Sequence, residues 1–337
     1  MATIVLFRQD LRVHDNAILC KAAELGAPLL PLYVVDPLQW GVGPYHVSRD
    51  AFGTRVSPHR ARFVRDSLCA LKASLTKLGS SLHVVAGDTT AVVAKLAEDL
   101  GASNVIMQSL PAHEELELEA ALRKALGSRL TTFWTHTLLS TATLPFSPTE
   151  TPMVFSQFRR AVEAKGVWHV APPLRAGGRL PPLPAGVEVG DGAAAVDAAL
   201  EGVGVAAPGS MSSRMFPGGE AAALARLKKY LWDDDRLRVY KETRNGMLGM
   251  DYSSKFSPFL SLGLLSPRVV YAEIQRYEAE RVANDSTYWL VFEMLWRDYF
   301  AFLTLRVKHK LFLLEGPRDV TDKPWRRDMD DFSKWAQ

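Results

Sequence analysis

The stretch YKETRNGMLGMDYSSKFSPFLSLGLLSPR at residues 240–268 has the most unusual composition of the chain. Small hydroxyl side chains and a lysine crowd the positions between Tyr252 and Pro258, and residues 259–265 continue as an apolar run typical of a helix. Pro258 suits a first helical turn, with Ser257 as a candidate cap. Hydroxyl groups, a cation and the unpaired N–H groups of a helix N-terminus together favour a phosphate or pyrophosphate. A serine-rich loop that only caps a helix explains the same residues.

A second segment, STYWLVFEMLWRDYFAFLTLRVKHK at residues 286–310, predicts a long helix that begins near Thr287, with Ser286 as a candidate cap. Glu293, Trp296 and Arg297 stand at i, i+3 and i+4, so the spacing places a carboxylate and a guanidinium beside an indole on one face. Charged groups among so many apolar neighbours are costly to bury unless they are paired or used. A structural Glu–Arg pair in a helical core is the alternative interpretation.

Four long strings in one order give these segments a family context. They are LFRQDLRVHDN at 6–16, FPGGEAAALARL at 216–227, the 240–268 stretch, and STYWLVFEMLWRDYF at 286–300. With them the chain resembles the photolyase/cryptochrome family, and most closely its cryptochrome-DASH branch. Four such strings are far more specific than any short motif.

The composition sets the limits of what this resemblance implies. The chain has 337 residues, of which 47% are hydrophobic and 23% charged, as in an ordinary soluble globular protein large enough for two domains. A net charge of +3 mildly favours an anionic partner. The longest apolar run, at 29–35, is far short of the ~20 residues of a membrane helix. No targeting peptide is visible, so we expect a soluble intracellular protein.

Residues 1–140 alternate between short β-branched runs and amphipathic stretches, which predicts a Rossmann-like, doubly wound parallel sheet of five strands within an α/β domain. The first strand is not followed by G-x-G-x-x-G, so a dinucleotide in the usual position is not expected. In the FRQDLRVHDN segment, Asp10 with Arg12 and Asp15 with Asn16 are predicted to fix the loop and cap a helix. The candidate strands are 3–7, 28–36, 81–87, 104–110 and 130–139.

The rest of the chain is predicted to divide into a connector at 141–215 and an incomplete all-α domain at 216–337. The connector is rich in Pro, Gly and Ala, which favours an extended linker with one short helix near 193–201. A helix at 153–163 is expected to lie against the first domain. Because family members continue into further helices, we expect that this chain stops within the flavin-binding helical domain.

The resemblance implies FAD as the cofactor, and it assigns residues to roles. Tyr240 matches the family tyrosine on the phosphate side of the flavin cofactor. Glu293 and Trp296 match the pair that faces the bound pyrimidine dimer, and Arg297 matches a cation that supports the flavin pocket. The phosphate-binding loop matches Ser253, Ser254, Lys255, Phe256 and Ser257.

An antenna pigment, methenyltetrahydrofolate in many family members, is also implied by the resemblance. The carboxylate of the loop LPAHEEL at 110–116 is the candidate to hold the pterin ring, and Glu115 is preferred to Glu114. The alternative is that these carboxylates form the acidic first turns of a solvated helix, a position that the helix dipole favours.

The activity implied by the resemblance is light-driven electron donation from reduced FAD to a cyclobutane pyrimidine dimer, preferably in single-stranded DNA, by a monomer. A blue-light photoreceptor or nucleic-acid-binding cryptochrome without repair would use the same site. An inactive truncated remnant is the third hypothesis. The sequence contains no Walker loop, metal-ligand cluster or Ser/His/Asp triad that favours a hydrolase.

Overall fold

The sheet lies within the first 133 residues of the chain. The structure, a computed structural model, describes residues 1–40, 55–164, 178–190, 192–203, 216–322, 326 and 328–336. Five parallel strands form one sheet in the order β3-β2-β1-β4-β5, which confirms the predicted doubly wound α/β class. The strands are β1 (Thr3–Leu6), β2 (Leu29–Val35), β3 (His83–Ala86), β4 (Asn104–Gln108) and β5 (Leu130–Phe133).

Helices cover both faces of the sheet. Side chains alternate between the two faces along each strand, and both faces are apolar. Val5 packs into one apolar layer, whereas Ile4 and Leu6 pack into the other. The helices between and beside the strands are α1 (Ala17–Leu25), α2 (Pro37–Trp40), α3 (Pro58–Lys77), α4 (Thr89–Asp99) and α5 (His113–Leu126).

The later part of the described chain is helical. The longest element carries the aromatic segment predicted to form a helix. The helices are α6 (Phe155–Ala164), α7 (Gly192–Glu201), α8 (Glu220–Lys228), α9 (Tyr240–Thr243), α10 (Ser257–Ser261), α11 (Pro267–Glu280), α12 (Asp285–Val307) and α13 (Met329–Ala336). Within the described ranges no helix is both long and apolar enough to cross a lipid bilayer.

The loop after β1 caps α1 as predicted and also holds the helical part. The Asn16 side chain accepts hydrogen bonds from the N–H groups of residues 18 and 19. Arg12 donates to the carbonyl oxygen of Gly263 at 2.8 Å. Asp15, which is buried, accepts from Arg268 Nε at 3.1 Å and from Ser266 Oγ. One loop of the α/β layer therefore binds the segment that joins α10 to α11.

The described parts of the connector pack on the sheet, contrary to the expectation of an extended linker that buries little. The N–H of Leu29 donates to the carbonyl of Pro182 at 2.8 Å. Helix α7 confirms the short helix predicted near 193–201, and Val196 and Leu200 on it are fully buried. A few apolar side chains are sufficient to order this helix, because they pack against α3 and the sheet. The domain boundaries at 140 and 215 stay predictions.

Helix α6 packs on α12, and its apolar cluster also includes Trp134 and Leu139 of the predicted first domain. Phe155, Phe158 and Val162 are buried along one face of α6. The Phe155 ring meets Phe292 edge-on at 5.3 Å, and the Phe158 ring lies 5.3 Å from that of Tyr299. The aromatic face of α12 therefore determines where α6 lies.

Two predicted helix caps are wrong. Ser257 is the first residue of α10, and its cap position belongs to Phe256, which makes no side-chain cap bond. Helix α12 is capped by Asn284 in a capping box with Thr287, not by Ser286. The Ser286 hydroxyl is instead used in a tertiary contact, donating to the Glu242 carboxylate at 2.9 Å.

Candidate functional site

A cleft of about 380 Å³ opens between α9, α10 and α12. This volume lies in the range of roughly 300–1,000 Å³ typical of small-molecule sites. Its lining brings together most of the predicted site residues, although Ser253, Lys255 and Trp296 do not line it. The lining residues are Tyr240, Ser254, Phe256, Ser257, Leu260, Ser261, Leu290, Glu293, Met294 and Arg297.

One stripe of α12 forms a wall of this cleft. Leu290, Glu293, Met294 and Arg297 recur at i, i+3, i+4 and i+7, so they share one face of the helix. The two apolar members were missed by the sequence analysis. The same helical periodicity that grouped Glu293 with Arg297 identifies them.

The loop that enters α10 contributes Ser254, Phe256 and Ser257 to the lining of the cleft. Lys255 has a left-handed backbone with φ of 56°, and Phe256 after it is right-handed with φ of −79°. Consecutive residues of opposite hand turn their N–H groups toward one point, which makes an anion-binding nest. The N–H groups of residues 254–257 donate to no acceptor in the part of the chain that the structure describes.

Glu293 is held at the cleft by a residue that the sequence analysis did not assign. Arg244 donates to its carboxylate at 2.8 Å, and both side chains are about one-third exposed. Burial, and then the negative charge of Glu293, raise the pKa of Tyr240 to about 12. The Tyr240 phenol therefore stays protonated and keeps a hydrogen to donate. Arg244 belongs to the ETRNG string that supported the family resemblance.

Arg297 is a fixed cation on the cleft wall. It donates to the carbonyl oxygen of His136 at 2.6 Å and to that of Leu260 at 3.4 Å. Burial, followed by the positive charges of Arg297 and Arg12, lowers the pKa of His136 to about 3. His136 is therefore neutral at physiological pH and adds no positive charge beside Arg297.

Asp298 lies behind Arg297 and is completely buried. Its carboxylate accepts from the N–H groups of Leu138 at 3.0 Å and Leu139 at 2.8 Å. Burial raises the pKa of Asp298 to about 7, although these two N–H groups and Arg297 oppose the shift. The segment after β5 is thus attached to α12 through a titratable group.

This burial predicts a pH dependence of stability. The folded chain binds a proton at Asp298 more tightly than the unfolded chain, so the free energy of unfolding is expected to fall as pH rises from about 4 to about 7. In Asp298→Asn, which does not titrate, this contribution disappears. Urea unfolding between pH 4.5 and 8 measures it, and parallel pH profiles for the two proteins would contradict it.

Trp296 does not line the cleft. Its ring stacks on Phe155 with centroids 3.6 Å apart and an interplanar angle of 14°, and it also stacks on Phe300 at 5.5 Å. Successive residues of a helix are turned by about 100°, so Trp296 lies at the flank of the stripe that carries Arg297. Trp296 keeps the i+3 position next to Glu293 on α12, and its ring contacts Phe155 of α6 and Phe300. Its role toward a substrate stays a prediction.

Glu115 lines a second, smaller cavity of about 90 Å³ beside the carboxyl ends of β1 and β2. Glu114 does not line this cavity and instead pairs with Arg55 at 3.0 Å. Arg8 also lines the cavity, and its Nη1 atom is buried without a partner among the described residues. The cavity is well below the ~300 Å³ of usual ligand sites. Its use as an antenna site stays a prediction.

The comparisons with known proteins agree with this architecture. The DNA photolyase family model matches residues 3–178. The cryptochrome DASH of Gloeobacter violaceus is 40% identical over 335 residues, which cover 98% of this chain and 64% of that protein. The cryptochrome DASH of Danio rerio is 41% identical, with 99% and 63% covered. The crystal structure of a Synechocystis cryptochrome has a TM-score of 0.86 at 37% identity, covering 99% of this chain and 68% of the other. The chain spans less than two thirds of the two curated relatives.

Proposed function

Because the chain belongs to the DNA photolyase family, in its cryptochrome-DASH branch, we propose that it binds FAD in the 380 Å³ cleft and serves blue-light-dependent repair of cyclobutane pyrimidine dimers. The observation that carries the proposal is the cleft itself. The loop at 254–257, whose N–H groups have no acceptor among the described residues, and the α12 stripe with Glu293 and Arg297 both contribute residues to its lining. The preferred substrate of the proposal is single-stranded DNA, bound by a monomer.

The residues present fit a dinucleotide. The N–H groups of residues 254–257 would hold the diphosphate, since a nest concentrates backbone donors on an anion. The protonated Tyr240 phenol would add one donor on the same side. Leu260 and Met294 would contact a flat ring through apolar surface. Arg297, fixed by two carbonyl groups, supplies a positive charge that does not have to reorganise when a ligand enters.

Bound reduced FAD supplies the light-driven electron, because no side chain absorbs blue light and donates one. The chain's own part is to bind, orient and exclude water. Glu293 is proposed to contact the dimer, and Arg244 keeps its carboxylate at the cleft. Glu115 is proposed to contact a methenyltetrahydrofolate antenna from the smaller cavity.

A second candidate function, flavin-dependent light sensing or nucleic-acid binding without repair, is favoured by one observation. Trp296 is proposed to stack on an extruded base, but Phe155 and Phe300 already stack on its ring. Stacking is worth about 1–3 kcal/mol per base, so repair by this chain requires at least one of these contacts to open.

An absorption spectrum of the purified chain, taken before and after heat release of bound chromophore, tests the proposal. We expect near-stoichiometric flavin, followed by light-dependent repair of thymine dimers in an oligonucleotide. Glu293→Gln is expected to keep the flavin and slow repair about tenfold, the equivalent of one lost charged hydrogen bond. A colourless protein that takes up no FAD contradicts the proposal. Flavin without repair in the parent chain identifies the second candidate.

A further inference from the structure

Arg226, in the last turn of α8, holds the nest from outside the cleft. Its Nε donates to the carbonyl of Ser254 at 2.9 Å, and Nη2 donates to those of Met250 at 2.8 Å and Ser253 at 3.2 Å. Nη1 donates to the Asp251 carboxylate at 2.9 Å. The side chain is only 10% exposed and does not line the cleft. One planar guanidinium is therefore hydrogen-bonded to four of the five residues at 250–254.

The position of the guanidinium is itself fixed. Arg226 lies over the Tyr230 ring, with 5.1 Å between the guanidinium carbon and the ring centroid. Tyr230 is fully buried and contacts Tyr240 and Phe256 edge-on, and both of these residues line the cleft. The cation, the loop behind the cleft and the cleft wall thus form one packed unit.

Peptide geometry links these bonds to the donors in the cleft. The C=O and N–H of a trans peptide point in opposite directions. When Arg226 holds the carbonyls of Ser253 and Ser254, it turns the N–H groups of Ser254 and Lys255 away from itself. The left-handed backbone at Lys255 then carries this orientation into the first turn of α10.

We propose that Arg226 is a positioning residue for diphosphate recognition: it sets the orientation of the N–H groups of the 254–257 nest before a ligand arrives. The inference rests on the proposed binding of FAD in this cleft. It assigns a role to a residue that would not touch the cofactor. Preorganised donors bind an anion more tightly than donors that must be ordered on binding.

The test compares FAD with riboflavin, which has the ring system but no phosphate. Dissociation constants of both are measured by fluorescence titration for the parent chain, Arg226→Gln and Arg226→Lys. Arg276→Gln is the matched control, because Arg276 also lies over an aromatic ring, the indole of Trp232 at 4.2 Å, but is not bonded to the loop. Arg226→Gln is expected to weaken FAD binding about tenfold to a hundredfold and to leave riboflavin binding unchanged. Arg226→Lys, which keeps the charge without the fork, is expected to fall in between.

The readouts separate positioning from general stability. An equal loss of FAD and riboflavin affinity in both Arg226 variants, or unchanged FAD affinity, overturns the inference. If Arg226→Gln does not fold, Arg226→Lys decides between these results. A parent chain that binds FAD no more tightly than riboflavin contradicts the diphosphate site of the proposed function, and this is established before any variant is compared. Faster amide hydrogen exchange at residues 254–257 in Arg226→Gln alone, with exchange elsewhere unchanged, supports the inference independently of flavin.

Discussion

Replacing Gly263 by alanine is expected to destabilise the folded chain by more than about 4 kcal/mol, enough to remove most of the stability of an ordinary domain. Gly263 has φ of 64°, and a Cβ atom there would lie 2.0 Å from the carbonyl oxygen of Gln9 and 2.7 Å from the Cα of Asp10. Both neighbours are backbone atoms of the loop after β1, so no side-chain rotation relieves the contact. The loop would have to separate from the segment between α10 and α11.

The matched control is Gly26→Ala. Gly26 ends α1 with nearly the same φ, 67°, but a Cβ there meets no atom within 4 Å. Only the backbone cost of a left-handed alanine remains, about 1 kcal/mol. Urea and thermal unfolding of the two variants measure the difference, which isolates the contact between the β1 loop and the helical part. Equal destabilisation of both variants would show that the loop after β1 can move away from residue 263 at little cost, and that this contact does not hold the helical part tightly.

The sheet could be predicted from the sequence because its signal is local. Runs such as TIVLF at 3–7 and NVIMQSL at 104–110 carry β-branched residues and are buried on both faces, so periodicity and composition agree. The packing of the connector could not be predicted because it depends on residues that are distant in the sequence. Val196 and Leu200 are ordered by the surface of α3 and the sheet, which no local pattern in 192–203 contains.

At the cleft too, some features could be predicted from the sequence and others could not. Tyr240, Glu293 and Arg297 were placed together by the family motifs and by helical spacing, and the structure brings them to one cleft. The stacking of Trp296 on Phe155 could not be predicted, because Phe155 lies more than a hundred positions away in the sequence. Ser286 was mistaken for a cap because Asn284, two residues earlier, competes for the same N–H groups. Tertiary partners of this kind are not encoded in the spacing of one helix.

Replacing Arg297 by methionine is expected to cost about 3 kcal/mol of folding free energy, because the carbonyl of His136 loses its charged donor and that of Leu260 keeps the backbone N–H of Gly263 but loses its charged donor. Two pKa values should move with it. The pKa of His136 rises from about 3 but stays below its usual range, because burial is the larger cause of its shift. The pKa of Asp298 rises further, because Arg297 opposes the effect of burial there. Urea unfolding and NMR titration of the histidine ring measure these changes.

Glu293→Gln is the control for this variant, since it changes the same cleft but removes only a partly exposed ion pair worth less than ~1 kcal/mol. If the two variants lose equal stability, and His136 titrates as before in Arg297→Met, Arg297 is not the structural cation inferred here. If Arg297→Met alone is destabilised, any loss of flavin by that variant reflects the wall of the cleft as well as its charge. Flavin binding by Glu293→Gln then measures the contribution of the Glu293 charge separately, because this variant keeps the fold of the parent chain.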